Sequence, residues 1–124
     1  MPRLVITGAP RAGKTTLSAE IAPEADHTDA FRHQGDFPKQ EQTVAALFDR
    51  PDGWTVEGVT ATRALRRWLR ENPRGRPADR IIYLHTPYLP LSKQQENMRK
   101  GLDTVWREIL PELRRRGVEI EERR

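Results

Sequence analysis

The chain has 124 residues, a length for a single domain spanning residues 1–124. Its 22 Lys and Arg against 18 Asp and Glu leave a formal charge of +4, which allows a polyanionic partner and equally fits a solvated, arginine-rich surface. The absence of cysteine excludes disulfides and thiolate metal sites, the three histidines are spread along the sequence, and no apolar run approaches the ~18 residues of a membrane span.

Taken in chain order, Arg3 to Thr7 reads as a short buried strand, and Thr15 to Ala22 as a helix stopped by Pro23. No charged-then-apolar leader precedes that strand, so a cytoplasmic location is expected. Between strand and helix lies Gly8-Ala9-Pro10-Arg11-Ala12-Gly13-Lys14-Thr15-Thr16, which matches G-x-x-x-x-G-K-[ST]. Glycines there let the backbone turn its N–H groups toward phosphate, and the adjoining helix N-terminus favours negative charge. Lys14 is expected to reach the β- and γ-phosphates, and the Thr15 hydroxyl to hold Mg²⁺. Thr16 supports the helix start or an α-phosphate; Arg11 touches phosphate or points to solvent.

His27 to Ala30 reads as a second short strand. Asp29 at its end would face the ligand crevice of a parallel sheet and accept a proton from a substrate hydroxyl; the competing reading is an Asx turn or cap. Residues 32–42 are placed to cover an acceptor site, where His33 and Lys39 either contact an anionic acceptor or lie on the surface. Asp36 caps a helix with Pro38 in its first turn and an apolar face of Val44, Ala45, Leu47 and Phe48, and residues 50–53 make a turn.

Trp54 to Val59 is the next strand. Glu57 near its end either binds Mg²⁺ and orients the acceptor or is a surface carboxylate. Thr60 is expected to cap a helix from Ala61 to Glu71, with Ala61, Ala64, Leu65, Trp68 and Leu69 buried. On another face Arg63, Arg66, Arg67 and Arg70 recur at helical spacing, and such a stripe invites either a phosphate backbone or solvent. Arg63, nearest the strand end, is the candidate for a substrate contact.

Residues 72–77 are a loop, and Arg80 to Leu84 a central strand. Tyr88, in the extended segment beyond, stacks on a base or packs on the next helix. Ser92 and Gln95 form a capping box opening the longest helix, whose core face runs from Met98 through Leu102, Val105, Trp106, Ile109 and Leu110 to Leu113. Pro111 is expected to break or kink it. Lys93, Arg99 and Lys100 stand where a basic lid would close over triphosphate, with Arg99 the candidate for stabilising transition-state charge. Gly117 ends the helix, and Val118 to Glu121 is a last, edge strand.

Alternating strands and helices imply a parallel sheet covered on both faces, a three-layer α/β/α sandwich. Through Gly8 to Thr16, His27-Thr28-Asp29-Ala30-Phe31 and Val56-Glu57-Gly58, the chain resembles the P-loop kinases of the nucleoside and nucleotide kinase group. The resemblance implies five parallel strands in the order 2-3-1-4-5, ATP with Mg²⁺, Asp29 as base or acceptor ligand, and basic lid residues. The compact size is also similar to proteins of bacterial viruses, one set of which phosphorylates 5-hydroxymethyluracil in DNA. That likeness implies a DNA-linked acceptor met by the arginine stripe, and a host cytoplasm. The expected activity is transfer of the γ-phosphate of ATP to a hydroxyl of a nucleoside-like or DNA-linked acceptor. The alternative is a nucleotide hydrolase or switch that binds DNA or protein without phosphorylating it.

Overall fold

The computed structural model describes residues 2–31, 36–51 and 53–124, with the side chain of Phe31 left aside. His33, expected near the acceptor, and Asp52 of the expected 50–53 turn lie outside these residues. Five strands form one sheet: β1 (Leu4–Gly8), β2 (Asp26–His27), β3 (Thr55–Glu57), β4 (Arg80–Leu84) and β5 (Glu119–Arg123). All neighbours pair in parallel, in the order β2-β3-β1-β4-β5. Four helices connect them: α1 (Lys14–Ile21), α2 (Phe37–Leu47), α3 (Thr60–Glu71) and α4 (Lys93–Arg115).

β1 and β4 read as continuous apolar runs because both of their faces are covered. Val5, Ile81 and Tyr83 face a large cluster built with Phe48, Leu65, Trp68, Trp106 and Leu113 of α2, α3, α4 and their ends. Leu4, Ile6, Ile82 and Leu84 point the other way, toward Ala12 and Leu17 at α1. Tyr83 stacks on Trp106 with ring centroids 4.4 Å apart, which ties α4 to the sheet centre. β5 is the edge, and its charged residues pair with Arg80 and Arg123 instead of taking another strand.

Several local expectations are met in detail. Asp36 accepts a hydrogen bond from the Lys39 N–H at 3.0 Å, with proline in the first turn of α2. Ser92 and Gln95 exchange both bonds of the capping box. Gly117 stops α4 with φ 84°.

Four expectations are corrected. The second strand is only Asp26–His27, and Thr28–Phe31 curls into a 3-10 turn that carries Asp29. Thr60 does not cap α3; the helix starts one residue earlier from Val59 with no side-chain cap, because Ala61 N–H already reaches the Gly58 carbonyl at 3.3 Å. Of the break or kink expected at Pro111, the break does not occur: α4 runs on to Arg115, because the apolar stripe continues through Ile109 to Leu113 and this packing outweighs the bond lost at the proline. Met98 is half-buried at a cavity wall and not part of the core face.

Candidate functional site

Parallel register brings the site together. Ile6 of β1 stands beside Glu57 of β3, and Glu57 beside His27 of β2. The strands therefore end at one edge, where the loop after β1 and the turn after β2 also emerge, at a topological switch point. Gly8 has φ 132°, and a Cβ there would lie 2.2 Å from the Leu84 carbonyl oxygen, so only glycine lets the loop leave β1 against β4. Ala9 N–H then donates to Leu84 O at 2.9 Å, and Tyr88 N–H to Arg11 O at 3.0 Å. Arg11 itself has φ 56°, a left-handed conformation that bends the loop and leaves the side chain exposed.

These turns enclose a cavity of about 390 Å³ lined by Pro10, Arg11, Ala12, Gly13, Lys14, Thr15 and Thr16 of the loop, together with Asp29 and Glu57. Lys14 is buried, and its Nζ donates to the Ala9 carbonyl at 2.5 Å. Burial lowers its pKa to about 8, although the negative charges of Glu57 and Asp29 pull it back up. Both acids thus act on the lysine that would meet phosphate. Glu57 is 5% exposed; Thr15 Oγ1 donates to its Oε1 at 3.5 Å, and His27 Nδ1 lies 2.5 Å from the same oxygen. A hydroxyl and a carboxylate meeting at the phosphate loop fit a hydrated, oxygen-seeking cation such as Mg²⁺. Asp29 is exposed and lines the same cavity.

His27 was missed by residue-type reasoning. The signal available was its place two residues before Asp29 in a strand paired with β3, but that pairing is visible only once the register is known. Tyr88, 66% exposed, lines the cavity with its ring over Gly13.

A second cavity, about 430 Å³, opens beside the first. Phe37 and Glu41 of α2, Val59 and Thr60 at the start of α3, Arg63, and Gln94, Asn97 and Met98 of α4 line it. Val59 and Met98 belong to the walls of both cavities, so the two adjoin.

The other basic candidates lie elsewhere. Arg99 is held on its own helix by Glu96 and, at 3.0 Å, by Asp103, which in turn accepts the Tyr83 hydroxyl. It does not line either of the two cavities. Arg66 and Arg70 share Glu108, and Arg67 pairs with Glu71 at 3.7 Å and donates to the Pro38 carbonyl. The repulsion expected along this stripe is thus answered within the fold. Lys39 is exposed in the first turn of α2. Among the described residues, no helix is long and apolar enough to cross a membrane.

No family model matches the chain, and no curated protein matches it. Among solved structures it is similar to shikimate kinase from Acinetobacter baumannii in complex with shikimate, with 22% identity and a TM-score of 0.50. The match covers 100% of this chain and 84% of that one. At this identity the likeness is one of fold: a five-stranded parallel sheet in the order 2-3-1-4-5 with flanking helices, an architecture shared with that structure.

Proposed function

We propose that this chain, as one domain over residues 1–124, is an ATP-dependent P-loop kinase that phosphorylates a hydroxyl of a small acceptor. The observation that carries this reading is the pair of adjoining cavities: one framed by Lys14, Thr15, Asp29 and Glu57, the other large enough for a second substrate. A nucleotide hydrolase needs only the first. The fold shared with shikimate kinase supports the same class of reaction.

In this reading, loop N–H groups and Lys14 hold the β- and γ-phosphates of ATP. Thr15 and Glu57 hold Mg²⁺, which when bound offsets charge on the phosphates. Asp29 orients the acceptor hydroxyl and takes its proton as the acceptor oxygen bonds to the γ-phosphorus; the bond to the β,γ-bridging oxygen breaks, and ADP leaves. Thr7 keeps the Gly58 end of β3 in place, since its hydroxyl donates to the Gly58 carbonyl at 2.7 Å in the protein interior. Most of the acceleration then comes from positioning and electrostatics.

The finer expectation, an acceptor such as 5-hydroxymethyluracil within DNA, drew on the arginine stripe. With Arg66, Arg67 and Arg70 engaged by carboxylates of the fold, a small acceptor is the better-supported reading. The experiment is γ-labelled ATP offered with small hydroxyl compounds, nucleosides and hydroxymethylated DNA, using Lys14→Ala as the inactive control. Label in a small acceptor supports the proposal. Label recovered only as free phosphate leaves the hydrolase or switch alternative, and label in DNA restores the DNA reading.

A further inference from the structure

We infer that Tyr88 is the platform on which the base of the phosphate donor stacks, so that the chain selects purine nucleotides by ring area and takes ATP and GTP alike. The inference rests on the nucleotide half of the reading above and is independent of the acceptor.

The two tyrosines of the chain are used in opposite ways. Tyr83 is fully buried, stacks on Trp106 and donates its hydroxyl to Asp103 at 3.0 Å. Tyr88 is 66% exposed, and among the described residues it has no aromatic partner, no cation over its ring and no hydrogen bond from its hydroxyl. An exposed ring forgoes the burial that ordinarily rewards an aromatic side chain, and a planar ligand would restore it. The segment that carries the ring is pinned on both sides. His85 N–H donates to the Arg123 carbonyl at 2.8 Å, Tyr88 N–H donates to the Arg11 carbonyl at 3.0 Å, and the capping box fixes Ser92. Pro87 and Pro90 flank the tyrosine and limit its backbone freedom. Cε1 and Cδ1 of the ring lie 3.6 and 4.0 Å from where a Cβ on Gly13 would stand. One edge of the ring therefore rests on the residue that opens α1, and the exposed remainder is held beside the phosphate loop before any ligand arrives.

Strand order gives the direction. Glu57 ends β3 and Asp29 follows β2, on one side of β1, whereas Tyr88 follows β4 on the other. A triphosphate whose γ end faces the two acids runs its base end toward β4, where the ring stands. Pro10, Ala12 and Met98 line the same cavity and add apolar surface. The side chains that could read the edge of a base discriminate little. The Gln95 amide oxygen is taken by the Ser92 N–H at 3.0 Å, the Thr16 hydroxyl can donate or accept, and the exposed Arg11 guanidinium finds an acceptor in the N7 of either purine. Stacking needs only a π face and rewards its area, so both purines are served and pyrimidines less.

The test is calorimetric binding, with Mg²⁺, of non-hydrolysable analogues of ATP, GTP and CTP, and of ribose 5-triphosphate, which carries the sugar and phosphates without a base. Wild type is expected to bind both purine analogues about ten- to a hundredfold more tightly than ribose 5-triphosphate, and within about threefold of each other, with the CTP analogue in between. Tyr88→Leu should remove most of the gain due to the base and leave ribose 5-triphosphate affinity unchanged, while Tyr88→Phe, which keeps the ring, should retain the gain. A gain that survives Tyr88→Leu, an equal loss for ribose 5-triphosphate, or a preference above about tenfold between the two purines overturns the inference. Failure of every triphosphate to bind removes the nucleotide reading itself, and this inference with it. A base-dependent gain lost in Tyr88→Leu, in a protein that transfers label only to water, supports the inference and refutes the kinase reading alone.

Discussion

Replacing Gly58 by alanine places a methyl group between the two acids of the site, where there is no room for it. Gly58 has φ 142°, a conformation that side chains strongly resist. A Cβ there would lie 1.8 Å from Thr28 Oγ1 and 2.8 Å from Thr28 Cβ. Thr28 is 2% exposed, and its hydroxyl is buried without a hydrogen-bond partner, so it has little space into which to retreat. The backbone contributes about 1–3 kcal/mol of destabilisation. Overpacking against Thr28 contributes a similar about 1–3 kcal/mol. The expected loss is a large part of the about 5–15 kcal/mol that holds a typical domain together. Thermal melting should therefore fall by roughly 10–20 °C. Thr28→Ala in the Gly58→Ala background removes the hydroxyl and methyl but keeps Cβ at 2.8 Å, so it should restore part of the overpacking share and none of the backbone share; a double-mutant cycle in urea measures the coupling. A Gly58→Ala variant within 1 kcal/mol of wild type, or one that Thr28→Ala does not improve, would refute the packing described between β3 and the turn bearing Asp29.

Glu57→Gln removes the carboxylate beside Thr15 and should raise the Mg²⁺ concentration needed for half-maximal phosphoryl transfer about tenfold or more, read from a metal titration. Lys14, lowered by burial to about 8, loses its proton in the folded chain while the unfolded chain retains it up to 10.5. ATP affinity should thus weaken about tenfold between pH 7 and 9, while nucleotide-free stability rises across the interval between those two pKa values. Gly101→Ala should stabilise α4 by about 0.5–1 kcal/mol, since its new methyl meets only the movable tip of Arg63; chemical denaturation checks this, and a loss of stability would show that the guanidinium cannot shift. Asp79 accepts hydrogen bonds from the Arg3 Nη2 at 3.1 Å and the Arg3 N–H at 2.8 Å, which hold its carboxyl below the usual aspartate value. Asp79→Asn should therefore melt below wild type at pH 7, and the gap should close as acid carries the wild-type carboxyl through its lowered pKa.

Contiguous features were legible from residue order alone. The motif is a local device: it runs from the end of β1 into the first turn of α1, and Lys14 and Thr15 line one cavity with it. The alternation of apolar strands and amphipathic helices likewise determined the layered parallel sheet and, through the kinase resemblance, its strand order. The caps of α2 and α4 involve residues three apart and follow the same rule.

Tertiary structure decided what depends on distant partners. Whether an arginine on α3 is engaged is set by which carboxylates α4 brings to it: Arg66 and Arg70 meet Glu108, while Arg63 has no ion-pair partner among the described residues and lies against Gly101. His27 joins the site because β2 pairs with β3 in a register that no local pattern announces. Pro111 stays inside α4 because packing along that helix outweighs the single bond the ring removes. The second cavity is the space left among α2, α3 and α4, and such a space has no motif. The phosphate-loop motif is a short contiguous stretch and is therefore written locally; the second cavity is walled by side chains from three helices and exists only after they pack.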